Sequence, residues 1–443
     1  MIQYSKQHII IGEKMEKTIL VGVDLGNGDD CHKSLDELEG LAAACDMQTV
    51  GILEQALDKP NSATYIGPGK VDETAALVAQ TGADIVIFDN SLSPSQIRNL
   101  QDALKLPILD RSSLILEIFA DRARSREAKL QVEVARLQYL LPRLVGMHAA
   151  LSRQGGGSGA TSNKGTGEKK LELDRRVLEQ RLVQYRHELD DVIRERSAQC
   201  SKRASSGIPR VALVGYTNAG KSTLLNAMIE KYALPDDQIE DKKVETKDML
   251  FATLDTTVRK ISPQGHHAFL LSDTVGFINK LPHNLIEAFR STLEEAREAD
   301  VLIQVIDYSD ENFADHMEVT RKTLAELGAG EIPMIYVYNK ADLGTGNETV
   351  SSFNDNLPRV GQDKIYMSAI DGTGLDELVD LIEKNLEDAY TECTFLIPYT
   401  DGRAVSYLNS HAVVISEEYE NEGTRLKANC RKADAAYYKK YIV

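Results

Sequence analysis

The chain has 443 residues, 42% of them hydrophobic and 27% charged, and a formal net charge of −17. That length allows about three domains, and the composition is that of an ordinary globular protein. No apolar run approaches the ~20 residues needed to span a bilayer. The cluster His8-Ile9-Ile10-Ile11 is too short for a signal peptide. Cys31, Cys45, Cys200, Cys393 and Cys430 show no Cys-x-x-Cys spacing, so neither a zinc site nor a disulfide framework is indicated. A cytoplasmic, monomeric protein without a membrane partner is expected.

The first part alternates strand and helix. Thr18–Val23, Thr49–Leu53, Ala83–Phe88 and Leu106–Leu109 read as strands. Helices are predicted over 34–44, 70–80 and, capped by Ser93, through Leu104. This alternation predicts a small parallel α/β subdomain over residues 1–110.

Residues 111–204 read as an antiparallel helical hairpin. Leu130, Val134, Leu137, Leu141 and Leu144 recur at coiled-coil steps, with Pro142 expected to end the helix. Leu171, Leu178, Leu182, Tyr185, Leu189 and Val192 repeat the pattern. The join at 153–170 holds six glycines with Arg153, Lys164, Lys169 and Lys170. A plain flexible linker would also be Gly-rich, yet a tight helical hairpin needs only ~2–8 connecting residues. The tip is therefore read as an RNA-binding element. Charge supports this, because residues 121–210 carry a net +8 and leave −25 for the rest of the chain. A solvated helical surface laced with ion pairs is the plainer reading of the same charges.

Ser201–Gly207 reads as a hinge into a nucleotide-binding domain over 205–389. The apolar run Pro209–Val214 leads into Gly215-Tyr216-Thr217-Asn218-Ala219-Gly220-Lys221-Ser222-Thr223, and a helix follows to Lys231. Such a strand–loop–helix cradles phosphates with backbone N–H groups and the helix N-terminus. Lys221 can reach the β- and γ-phosphates, and Ser222 can take one Mg²⁺ position. A loop over 236–258 contains Phe251-Ala252-Thr253-Leu254-Asp255-Thr256-Thr257. Thr253 is favoured there as γ-phosphate sensor and second Mg²⁺ ligand, because Thr256 and Thr257 lie close to the strand Val258–Ile261. After the run Ala268–Leu271 comes Asp273-Thr274-Val275-Gly276. Asp273 can hold Mg²⁺ through a water, and the Gly276 N–H can sense the γ-phosphate. Lys221, Thr253 and Gly276 are the groups expected to stabilise the transition state.

Asn339-Lys340-Ala341-Asp342 ends the run Ile335–Tyr338. A carboxylate there accepts two hydrogen bonds from guanine, whereas adenine offers neither donor and would leave it buried and unpaired. Lys340 can lie along the base. Ser368-Ala369-Ile370 follows the run Ile365–Met367 and can offer a backbone N–H to the guanine carbonyl. GTP and GDP are therefore the expected ligands, with ATP weaker. Many GTPases orient the attacking water with a Gln after the Asp-x-x-Gly element. Phe277 stands there and has no donor or acceptor, so slow intrinsic hydrolysis is expected. Asn218 could supply a carbonyl to K⁺ near the phosphates, or only stabilise the turn; both readings stay open. Residues 390–443 read as a small α+β module.

The chain resembles the HflX GTPases along nearly its whole length. The resemblance rests on Thr64–Lys70, Phe88–Gln96, Asp121-Arg122-Ala123, residues 153–176, Phe251–Asp255 and Asp273–Phe277. It implies GTP and GDP binding with Mg²⁺, and docking on the large ribosomal subunit that stimulates hydrolysis. It also implies a hairpin tip that engages rRNA, and separation of stalled or stress-arrested ribosomes into subunits. A tRNA-modifying GTPase, an ATP-driven enzyme and a non-hydrolysing scaffold are the other classes. The first lacks a Cys nucleophile motif, the second conflicts with Asp342, and turnover measurements separate the third.

Overall fold

The computed structural model describes residues 15–26, 30–153, 164–204, 208–232, 250, 251, 254, 256–280, 290–344 and 357–443. These fall into two compact units, the first ending at Glu188 and the second beginning at Leu189.

The first unit is built on four parallel strands in the order β2-β1-β3-β4, with β1 Glu16–Asp24, β2 Met47–Ala56, β3 Ile85–Phe88 and β4 Ile108–Asp110. Helices α1 (Cys31–Ala44), α2 (Pro68–Thr81), α3 (Pro94–Leu104) and α4 (Arg111–Arg122) cover it. Parallel strands covered on both faces must be apolar throughout, and β3 is buried at all four positions. Ile19, Val21, Val86 and Phe88 form one core with Ile66, Val71, Leu100 and Leu104. Ser93 caps α3 in a reciprocal pairing with Gln96, as its place before Pro94 predicts.

Helix α5 (Arg126–Arg153) packs on α3 and α4. It runs straight through Pro142, contrary to the expected end there. A proline deletes a single N–H from the ladder, and the buried Leu130, Val134, Leu137 and Tyr139 anchor the turns before it. The Gly-rich join is also shorter than the sequence implied. Helix α6 (Lys164–Ala204) already includes Lys164, Lys169 and Lys170, and Arg153 closes α5. Glu168-Lys169-Lys170-Leu171 are good helix formers, and the glycines before them fall in the first turn, where little ladder is lost. Along α6, Leu178, Leu182, Tyr185, Leu189 and Val192 are half-buried, whereas Leu173, Val177 and Val183 are exposed. The heptad stripe is thus the less exposed face of α6.

The second unit holds a seven-stranded sheet in the order β10-β11-β9-β8-β5-β7-β6. Its strands are β5 Arg210–Gly215, β6 Thr257–Ile261, β7 Phe269–Asp273, β8 Val301–Asp307, β9 Met334–Asn339, β10 Arg359–Val360 and β11 Lys364–Tyr366. Only the edge strands β6 and β10 run antiparallel. Helices α7 (Lys221–Tyr232) and α10 (Leu375–Ala389) cover one face, over Leu213, Ile303, Val337 and Ile365. Helices α8 (Arg290–Arg297) and α9 (Phe313–Glu326) cover the other, over Ala212, Val214 and Leu302. The order reverses at β5, so β5, β7, β8 and β9 end on one edge, where doubly wound sheets bind ligands. A three-stranded antiparallel sheet, β12 (Tyr390–Ile397), β13 (Val413–Glu420) and β14 (Gly423–Arg431) in the order β12-β14-β13, closes the chain. Helices α11 (Gly402–His411) and α12 (Lys432–Tyr437) pack over it, with Leu408 of α11 in one core with Phe395 and Leu426. Both units are α/β, and the second is built on a doubly wound sheet.

Candidate functional site

The site forms where β5, β7, β8 and β9 end. Gly215 has φ +145°, and a Cβ there would run into the Val305 carbonyl. Gly220 has φ +94°, and its Cβ would strike the Asn339 amide. Both glycines are therefore required by geometry and by close approach. The Leu224 N–H donates to the Gly220 carbonyl at 2.9 Å, so α7 starts directly from the loop. A helix that starts directly from such a loop is the arrangement that holds an anion.

Lys221 is buried, and its Nζ donates to the carbonyls of Gly215 (3.1 Å) and Tyr216 (2.8 Å). Burial pushes the ammonium down to about 8, against the opposing pull of the Asp273 charge. The Ser222 hydroxyl donates to Asp273 Oδ2 at 2.6 Å, and Asp273 is wholly buried. Thr274 donates to the Leu213 carbonyl at 2.7 Å, fixing the segment after β7 against β5.

Loop and segment are stitched together by backbone. The Thr217 N–H donates to Phe277 O (2.9 Å) and the Phe277 N–H to Gly215 O (3.1 Å). Phe277 is 2% exposed and belongs to the apolar core under α8 and α9. The position that could carry a water-orienting amide is thus filled by a core side chain. A Cβ on Gly276 would lie 2.8 Å from Thr217 Cα and 3.0 Å from Lys221 Nζ, so only glycine fits there. Tyr216 accepts the Asn279 N–H at 2.8 Å and stacks on His316 with centroids 3.8 Å apart. Asn218 is exposed and left-handed at φ +61°.

The third part of the site is Asn339. Its Nδ2 donates to Ala219 O at 2.9 Å, and its Oδ1 accepts the Ala369 N–H at 2.9 Å. One side chain therefore joins the phosphate loop to the Ser368-Ala369 turn. Ala341 is buried, with its N–H on Met367 O at 3.2 Å, and Asp342 is half-buried beside it. The Ser368 hydroxyl donates to Asp371 at 3.1 Å, and Ile370 is exposed. Lys340 Nζ meets Asp307 Oδ2 at 2.6 Å. Asp307 was not singled out from the sequence, although it ends the apolar run of β8 just as Asp273 ends that of β7. Tyr216 likewise stood out only as a loop position.

Thr223, Phe251, Leu254 and Val275 also lie among the described residues, with Phe251 and Leu254 buried. Ala252, Thr253 and Asp255 lie outside them. Of the basic tip, the backbones of Arg153, Lys164, Lys169 and Lys170 are helical. Among the described residues no three His, Cys, Asp or Glu side chains gather to hold a metal. The oxygens of Ser222 and Asp273 are hard donors of the kind Mg²⁺ takes together with substrate phosphates and water, so the residues present fit that ion. No helix among the described residues is long and apolar enough to cross a membrane.

This fold and this loop, with an Asp-x-x-Gly and an Asn-Lys-x-Asp element at adjacent strand ends, define a phosphate-loop GTPase. Three family models match in succession: GTP-binding GTPase N-terminal over 32–120, GTP-binding GTPase middle region over 122–203, and 50S ribosome-binding GTPase over 210–340. The GTPase HflX of Caldanaerobacter subterraneus is 44% identical over 413 residues, covering 93% of this chain and 90% of the relative. That of Escherichia coli is 37% identical over 415 residues, covering 92% of each. Among solved structures, a GTP-binding protein from Sulfolobus solfataricus in complex with GDP is similar at 25% identity with a TM-score of 0.41, covering 84% of this chain and 99% of its own. The chain belongs to the HflX family of GTPases.

Proposed function

We propose that this chain is a guanine-nucleotide switch that docks on the large ribosomal subunit, hydrolyses GTP there and separates stalled ribosomes into subunits. The observation that carries the nucleotide half is Asn339, whose amide bonds both Ala219 and Ala369. Base recognition is thereby tied to the loop that holds phosphates. Asp342 would accept guanine's two donors, with Lys340, Ala341 and the Ser368–Ile370 turn framing the base. GTP and GDP are then the ligands and ATP the weaker one.

The phosphates would lie along residues 215–223, with Phe251–Asp255 and Asp273–Gly276 closing over them. Mg²⁺ would be held by Ser222 and Thr253 directly and by Asp273 through a water. It would supply charge neutralisation between the β- and γ-phosphates. Asn218 would add a carbonyl for K⁺. Lys221, Thr253 and the Gly276 N–H would stabilise the transition state.

The ribosomal half is supported by the match of residues 210–340 to the 50S ribosome-binding GTPase family. In this reading residues 1–110 and 111–204 make the ribosome-engaging part, 205–389 the GTPase domain and 390–443 a tail module. Arg153, Lys164, Lys169 and Lys170 would grip rRNA, and the protein would work as a cytoplasmic monomer. GTP turnover by the full chain, with and without purified large subunits, tests the proposal. Turnover should be slow alone and rise at least about tenfold with subunits, the way a partner completes an unfinished GTPase site. An unchanged rate refutes it.

A further inference from the structure

The Thr217 hydroxyl stands out in the phosphate loop. Thr217 is 6% exposed, and its Oγ1 is buried with no hydrogen-bond partner in the protein. Buried polar groups are almost always satisfied, and each exception calls for a reason. A valine would fill the same space without leaving a donor unmet, so packing does not account for the hydroxyl.

Its position supplies a reason. A Cβ built on Gly276 would lie 2.8 Å from Thr217 Cγ2 and 3.0 Å from Lys221 Nζ. Three groups thus converge on one point: the Thr217 side chain, the Lys221 ammonium and the glycine of the Asp-x-x-Gly element. The Lys221 ammonium and the Gly276 N–H are the groups that meet a γ-phosphate. Cγ2 and Cα are the Thr217 atoms at this point, and Oγ1 is carried on the same Cβ as Cγ2, one bond from the junction's edge. The Thr217 N–H on Phe277 O at 2.9 Å fixes the residue from behind. The Phe277 side chain, turned into the core, brings no polar atom to the site.

We infer that the Thr217 hydroxyl is a catalytic contact, donating a hydrogen bond to a terminal phosphoryl oxygen as charge builds there. In the step it serves, the water oxygen bonds to the terminal phosphorus. The bond from phosphorus to the β–γ bridging oxygen breaks, and its electron pair leaves with GDP. The water's proton passes to a phosphate oxygen. Thr217 itself is unchanged, and its bond strengthens on the way to the transition state, which is what accelerates a reaction. The inference rests on the proposed GTP hydrolysis and adds a named side chain to it.

The test uses the full chain carrying Thr217→Val, which removes the hydroxyl at constant shape, and Thr217→Ser, which keeps it. Single-turnover GTP hydrolysis, GDP affinity and Tm are measured for each. Thr217→Val should slow hydrolysis by about 10- to 100-fold, the scale of losing one preorganised donor. GDP affinity and Tm should hold, and Thr217→Ser should stay within a few-fold of the unaltered chain. Hydrolysis by Thr217→Val at the unaltered rate overturns the inference. So does an equal loss in both variants, or a loss that tracks falling GDP affinity and Tm, since each makes the role one of shape. If the unaltered chain itself does not hydrolyse GTP, with or without large subunits, the underlying function falls and the inference with it.

Discussion

Asn339 and Ala219 lie 120 positions apart and are joined by one hydrogen bond of 2.9 Å. On its other side the same amide accepts the Ala369 N–H at 2.9 Å. The 215–223 loop and the Ser368-Ala369 turn therefore share a buried strut. Replacing it by alanine strands a buried carbonyl and a buried N–H, each costing about 1–3 kcal/mol. Asn339→Ala should weaken GDP binding at least about tenfold, read by titration with a fluorescent GDP. Unaltered affinity would show the strut to be dispensable.

Guanine choice should reside in Asp342. An asparagine there presents one donor where guanine also presents one, whereas xanthine offers a carbonyl in that place. Asp342→Asn should lower GTP affinity by at least about 100-fold, the scale on which polar sites reject a mismatched partner, and should gain affinity for XTP. Competition binding with the two nucleotides checks both directions.

Lys221 should make nucleotide binding sensitive to pH. Burial first, against the Asp273 charge, puts its ammonium at about 8 rather than the ordinary 10.5. A phosphate in contact favours the charged form, so binding above pH 8 requires proton uptake. GDP affinity should be level below pH 8 and fall by up to about tenfold between pH 8 and 9. Stability of the nucleotide-free protein should respond with the opposite sign. Between the two values the unfolded chain binds more protons, so this group makes the fold more stable as pH rises. Calorimetric titration in buffers of different ionisation enthalpy reads the proton uptake directly.

In the first unit the sensitive residue is Arg111. It is 2% exposed, bonds Asp89 at 2.7 Å and the Ser34 carbonyl at 3.3 Å, and is ion-paired with Glu37. Arg111→Ala would leave the Asp89 and Glu37 carboxylates without this cation, a loss of about 3–5 kcal/mol. Hydrogen exchange should show peptides from β1, β3 and β4 losing protection. Exchange rates matching those of the unaltered chain would contradict this account.

Much of the residue cluster at these strand ends is legible in the sequence because its signals are local. Glycines at forced dihedrals, a lysine at fixed spacing and carboxylates closing apolar runs all mark themselves in sequence. Asp307 and Asn339 show the limit of that. The amide of Asn339 is spent on Ala219 and Ala369, and the carboxylate of Asp307 on Lys340, pairings across strand ends that no spacing encodes. Strands and helices of both units fell near their expected places, since period and capping are local too. Pro142 misled because tertiary packing of Leu130, Val134 and Leu137 outweighs one missing N–H. The length of the Gly-rich join misled because glycine says little about where a helix starts when good helix formers follow at once.

The most direct test of the switch is co-sedimentation of the full chain with purified large ribosomal subunits, in GDP or in a non-hydrolysable GTP analogue, repeated after shortening residues 155–167. The chain should pellet with the analogue, hardly at all with GDP, and less well once the tip is cut back. Equal pelleting in both nucleotides, or none in either, would contradict the switch.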